Sequence, residues 1–139
     1  MIVLETNVIS HLMSSRPRDR FDVWVDSQPA SRLFTTSVTE AEILYGVALL
    51  PDGQRRQILA ARARDVLSID FAGRVLAFDS DAARAFAVIA AGRRKAGRPV
   101  ADLDAQIAAI ARSRGAAVAT RNTRDFADCG IEVVDPWAG

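Results

Sequence analysis

The chain has 139 residues, half of them hydrophobic and a quarter charged, with 18 basic against 17 acidic side chains and a formal net charge of +1. That length suits one domain able to bury roughly two thirds of its unfolded surface, and the composition excludes disordered, collagen-like and disulfide-scaffold classes. The longest stretch free of Asp, Glu, Lys and Arg, Thr6 to Ser15, is ten residues, half the ~20 needed for a membrane span, so a soluble protein is expected.

The near balance of charge provides no global field to draw in nucleic acid, so any polyanion must be bound locally. The single cysteine, Cys129, excludes an internal disulfide and a thiolate zinc site, and Met1 to Glu5 lacks the features of an export leader; a reducing cytoplasm is the expected location. One histidine, His11, excludes the two-histidine acid and base arrangement of metal-free ribonucleases. Phosphodiester cleavage by this chain would fall to carboxylates and a metal.

In chain order, Ile2 to Leu4 reads as a first strand, Asp19 to Ser27 as a helix and Leu33 to Thr36 as a second strand. Helices are expected over Val38 to Leu49 and Gln54 to Leu67, parted by Pro51-Asp52-Gly53. A strand over Val75 to Phe78 precedes a helix over Ser80 to Ala96, which Gly97-Arg98-Pro99 ends. The last helix, Leu103 to Arg114, stops at Gly115 and leads into strands at Val118 to Thr120 and Glu132 to Val134. Leu59, Ala63, Val66 and Leu103, Ile107, Ile110 form apolar stripes at helical spacing. The alternation predicts an α/β fold: one domain over 1–139, with a short parallel sheet of about five strands and helices on both faces.

Ligands of such sheets bind beyond the carboxyl ends of the strands. Four acids reach that edge from separate segments. Glu5 follows the first strand, Glu42 lies in the second turn of the helix after the second strand, Asp104 begins the helix that precedes the fourth strand, and Asp125 follows that strand by five residues. A carboxylate pair at ~4 Å costs about 4 kcal/mol at an effective dielectric near 20, which a cation or raised pKa values must relieve. Oxygen-only ligands suit Mg²⁺ or Mn²⁺, and the matching chemistry is metal-assisted phosphodiester hydrolysis. Asp104 and Asp125 also suit helix starts, with Asn122 as the cap before Asp125. Ser37-Val38-Thr39-Glu40 reads as a capping box that makes Glu40 structural, and Asp102 reads as an N-cap.

The segments Ile2-Val3-Leu4-Glu5-Thr6-Asn7-Val8-Ile9-Ser10, Thr39-Glu40-Ala41-Glu42-Ile43-Leu44-Tyr45-Gly46, Asp104-Ala105-Gln106-Ile107-Ala108-Ala109-Ile110-Ala111 and Ala119-Thr120-Arg121-Asn122-Thr123-Arg124-Asp125-Phe126, closed by Val134-Asp135-Pro136-Trp137, resemble PIN-domain proteins. The likeness is to VapC and FitB-type toxins of type II toxin-antitoxin systems and covers essentially the whole chain. It implies a Mg²⁺- or Mn²⁺-dependent endoribonuclease, usually a homodimer. A small VapB-like antitoxin would inhibit it, placing its tail in the acidic pocket and binding operator DNA with its other end, so that the chain meets DNA only indirectly. The family's metal-site acids fall on Glu5, Glu42, Asp104 and Asp125, with Thr6 and Asn122 as polar supports. The chain departs from the pattern at Glu5, normally Asp, and the fourth acid occupies the position of Asn122 in some relatives and of Asp125 in others. Glu5 therefore raises a second reading, a catalytically attenuated PIN domain that acts mainly as the antitoxin's partner in an autoregulatory DNA-bound complex.

Arg93, Arg94, Lys95 and Arg98 form a basic cluster before the Asp104 segment. It reads either as solvated cations at a helix C-terminus or as a phosphate rail for RNA. Trp24 and Tyr45 are expected in the core or an interface, and the apolar run Ile43 to Leu50 in the core, a homodimer contact or the antitoxin's seat.

Overall fold

The computed structural model describes residues 1–138. The strands are β1 (Ile2–Leu4), β2 (Leu33–Thr36), β3 (Val75–Leu76), β4 (Ala117–Ala119) and β5 (Val133–Val134). The helices are α1 (Thr6–Met13), α2 (Arg20–Asp26), α3 (Ser37–Ala48), α4 (Gln54–Arg64), α5 (Ser80–Lys95) and α6 (Asp102–Ser113). All strand pairs are parallel, in the order β3-β2-β1-β4-β5. Val3 pairs with Phe34 on one side and Val118 on the other, so β1 is the centre and the chain turns outward in opposite directions from it. A crevice opens at such a switch point, between the ends of β1 and β4.

Two apolar layers cover the two faces, as the alternation predicts. On one face α5 and α6 contribute Ala82, Ile89, Ile107 and Ile110 against Val3 and Val118. On the other, α1, α2 and α4 contribute Val8, Ile9, Phe21 and Ala63 against Ile2, Leu4 and Leu33. Leu103 departs from its expected stripe: it lies on the first turn of α6, beyond the layer, and is 45% exposed. Gly97 and Gly115 follow their helices with φ of 75° and 65°, the left-handed turn that a Cβ disfavours.

Helix α1 was not apparent in the pattern. Its cap is Glu5, whose Oε1 accepts the Val8 N–H at 3.0 Å, and glutamate lies outside the usual Ser, Thr, Asp and Asn caps. Two other starts are corrected. Thr36, not Ser37, caps α3, accepting the Thr39 N–H at 3.1 Å. Asp102 lies inside α6, whose cap position is Ala101 with no side-chain bond. Beyond α4 the chain widens into a π turn over Asp65–Asp70.

Candidate active site

Glu5 leaves β1 at the crevice and turns its side chain inward, where only 2% of the residue stays exposed. Burial pushes its pKa up to about 7; the Asn7 and Val8 N–H groups pull it down, while Asp104 and Glu42 add to the rise. Asp104, on the first turn of α6, is half-buried and is also pushed up, by burial first, then by Asp125 and then by Glu42. These charge effects define the group: Asp104 and Glu42 act on Glu5, and Asp125 and Glu42 act on Asp104. The four segments thus converge electrostatically on the crevice. No three Asp, Glu, His or Cys side chains among the described residues close to metal-ligand spacing.

Glu42 is half-buried on α3, and its Oε1 accepts the Thr6 hydroxyl at 2.7 Å. Thr6 is therefore joined to the acidic group. Glu42 also lies on the rim of two hollows. One, of about 440 Å³, is lined by residues that include Tyr45, Phe78 and Leu103. The other, of about 400 Å³, lies between α1, α3 and α4 beside Met13, Ile43 and Leu59. Asp125 stands exposed in a polar notch with Arg121, Asn122, Thr123 and Arg124. Asn122 does not cap the turn Thr123–Phe126 with its side chain; its backbone N–H donates to the Thr120 hydroxyl at 2.9 Å.

The basic cluster divides. Arg94 and Lys95 are exposed at the end of α5. Arg98 is exposed too but forms an ion pair with Asp128. Arg93 is not a surface cation at all: it is 7% exposed and points inward. Its Nε donates to the Arg98 carbonyl at 2.7 Å, and its Nη1 to the carbonyls of Asp125 at 3.3 Å and Ala127 at 2.6 Å. The expectation of an RNA contact at Arg93 is overturned, because a buried guanidinium already holding three carbonyls has no face for phosphate. Tyr45 also departs from a core position, being 66% exposed.

The sequence reading missed Thr36, Thr39 and Thr120, all with fully buried hydroxyls at this edge of the sheet. The signal was present in the hydroxyl-rich run Thr35-Thr36-Ser37-Val38-Thr39, since buried hydroxyls need partners. The chain matches the PIN domain over residues 2–131.

The chain belongs to the PIN-domain family. This PIN domain is 39% identical over 137 residues to the VapC ribonuclease Y4jK of Sinorhizobium fredii, covering 99% of this chain and 98% of the relative. Its fold is similar to that in the crystal structure of FitAcB from Neisseria gonorrhoeae, with a TM-score of 0.91, 36% identity and full coverage of both chains (100% each). It is also similar to DNA-bound VapBC from Salmonella typhimurium, with a TM-score of 0.82, 28% identity and 97% of each chain covered. The family match over residues 2–131 spans the segments that carry the four acids. Among the described residues, no helix is long and apolar enough to cross a membrane.

Proposed function

We propose that this PIN domain is a divalent-metal-dependent endoribonuclease of the toxin type, held in check by a small VapB-like antitoxin. The observation that carries the reading is the charge coupling of acids from four segments at one crevice: Asp104 and Glu42 raise the Glu5 carboxyl, and Asp125 and Glu42 raise that of Asp104. The donor set fits a hard cation: every candidate ligand is a carboxylate oxygen, and neither His nor Cys joins them. Glu5 Oε1 accepts the Val8 N–H, and Glu42 Oε1 accepts the Thr6 hydroxyl. Mg²⁺ or Mn²⁺ held by these acids would supply positive charge against the phosphoryl oxygens during hydrolysis.

The remaining work belongs to the chain's own side chains. Exposed Arg94 and Lys95 anchor the RNA backbone beside the crevice without reading its sequence. Leu44, Tyr45 and Leu49, 49%, 66% and 66% exposed, give α3 an apolar surface suited to an amphipathic antitoxin segment. DNA is met through that partner, in keeping with the DNA-bound state of the Salmonella relative.

One observation favours the attenuated reading as a second proposal. Glu5 is one methylene longer than the family's usual Asp and is buried, where desolvation pushes its pKa up to about 7. Single-turnover cleavage by purified, antitoxin-free protein, with Mn²⁺ and with a chelator, separates the two. Metal-dependent cleavage supports the enzyme; silence in both conditions supports the attenuated partner.

A further inference from the structure

The buried threonines around Glu42 form one hydrogen-bonded chain whose proton positions follow from counting. Each hydroxyl has one proton. That of Thr6 goes to Glu42 Oε1 at 2.7 Å, so the proton in the 3.0 Å contact between Thr6 and Thr39 must come from Thr39. Thr39 has then used its own, and Thr36 donates to Thr39 at 3.4 Å. The Thr36 oxygen in turn accepts the Thr39 backbone N–H at 3.1 Å, the capping bond of α3. The donation runs in one direction, from Thr36 through Thr39 and Thr6 to the carboxylate. Hydrogen bonds arranged head to tail in this way polarise one another in a low-dielectric interior.

From this arrangement we infer that Thr39 is a positioning residue for Glu42, holding one carboxylate oxygen on the Thr6 hydroxyl and leaving the other directed to the ligand side. The inference rests on the reading of Glu42 as part of the metal site. Thr39 itself is fully buried, out of reach of solvent. It acts through Thr6, and Thr6 directly follows Glu5, so the same contact sets α1 against α3 and fixes two of the four acids relative to each other. Packing alone gives no reason for the hydroxyl: valine has the same shape, and an unpaired hydroxyl in the core is costly. Outer-shell partners of metal ligands typically contribute 10- to 100-fold in affinity or activity.

The test compares Thr39→Val, which removes the hydroxyl at constant shape, with Thr39→Ser, which keeps it. Mn²⁺ affinity is measured by calorimetry on the full chain, kcat and KM on one RNA substrate, and Glu42→Gln is measured alongside. We expect Thr39→Val to lower Mn²⁺ affinity and kcat by about tenfold with KM unchanged, and Thr39→Ser to stay within about twofold of the parent. Parental values in Thr39→Val, or equal damage in Val and Ser, overturn the positioning role while leaving the site reading intact if Glu42→Gln loses Mn²⁺. Parental Mn²⁺ affinity in Glu42→Gln overturns the site reading and this inference with it. Should Thr39→Val fail to fold, the parent decides by NMR: the Thr39 hydroxyl proton must exchange slowly and show its through-space contacts to Thr6. Contacts to Thr36 instead reverse the direction of the chain and refute the inference.

Discussion

Arg93 and Asp125 are joined through the backbone: the guanidinium Nη1 donates to the Asp125 carbonyl at 3.3 Å while the Asp125 side chain faces solvent. A cation that looked like an RNA contact is instead a strap from α5 to the segment carrying the fourth acid. Replacing it with methionine leaves buried carbonyls unpaired, each costing about 1 to 3 kcal/mol. Arg93→Met is expected to lower unfolding stability by roughly 2 to 4 kcal/mol in urea. The salt dependence of RNA binding should not change in that variant. Arg94→Ala with Lys95→Ala should do the reverse, leaving stability alone while flattening the plot of log K against log salt by about 1.4, two single-strand phosphate contacts. A changed salt slope in Arg93→Met would return Arg93 to the phosphate rail.

The second prediction concerns Asp104, placed between Glu42 and Asp125 in the electrostatic group. Asn keeps its volume, loses its charge, and removes repulsion from the apo site at the cost of a few tenths of a kcal/mol of favourable charge at the α6 N-terminus. Asp104→Asn is expected to fold with an unchanged or slightly higher melting temperature in chelator, and to lose metal-dependent cleavage. It should also lose stabilisation by Mn²⁺, which in the parent reaches about 2.7 kcal/mol at 100 times the dissociation constant. Thermal melts with Mn²⁺ and with chelator, run beside a cleavage assay, check both halves. Undiminished stabilisation by Mn²⁺ would reduce Asp104 to a helix-start residue.

The pH dependence of the metal-free protein follows from Glu5. Its folded pKa, about 7, lies above its ordinary 4.5, so the folded state holds a proton that the unfolded chain gives up between those values. Stability from this group is therefore fully present below pH 4.5 and is lost as the pH rises through 7. The loss is on the order of 3 kcal/mol at most. Asp104, raised by burial, Asp125 and Glu42, acts in the same direction. Asp22 and Asp128 act oppositely and at lower pH: Arg16 and Arg98 hold their carboxyls below the usual aspartate range, so their stabilisation fails only on strong acidification. Urea unfolding in chelator at pH 5, 6, 7 and 8 should show falling stability in the parent and a flatter profile in Glu5→Gln, whose amide oxygen still accepts the Val8 N–H. Parallel profiles would remove Glu5 as the cause.

Much of this was legible in the sequence because the signals were redundant. Val3 and Val118 announce themselves as buried strand residues, and Gly97 and Gly115 mark the helix ends, so the sheet and five of the helices follow from local pattern. The choice of the four acids as candidates rests on topology, since strand ends and helix starts share an edge in a parallel sheet. What escaped has a physical reason. Helix α1 begins on Glu5, an unusual cap, and its Thr6, Asn7, Val8 and Ile9 have weak helix propensity. Arg93 was misread because position alone does not distinguish a solvated cation from one turned inward onto carbonyls. The threonine chain was invisible because Thr6 and Thr39 are 33 residues apart and meet only when α1 packs on α3.

The last prediction returns to Glu5, where a single side chain both caps α1 and belongs to the acidic group. Aspartate is a favoured N-cap and glutamate is not, so Glu5→Asp retains the bond to the Val8 N–H or improves it. Shortening the side chain moves the carboxylate by ~1.5 Å, and a displacement of about 1 Å at a catalytic centre can change the rate on the order of 100-fold. Hard cations accept varied carboxylate geometry more readily than a transition state does. The parent is accordingly expected to bind Mn²⁺ and to cleave RNA feebly, and Glu5→Asp to raise cleavage by at least about tenfold with a smaller change in Mn²⁺ affinity. Rates for the two proteins on one RNA, at fixed Mn²⁺ and salt, decide the matter. Equal or lower activity in Glu5→Asp means that the threonines and Asp104 hold a pocket fitted to the longer acid, and the attenuated reading then fails.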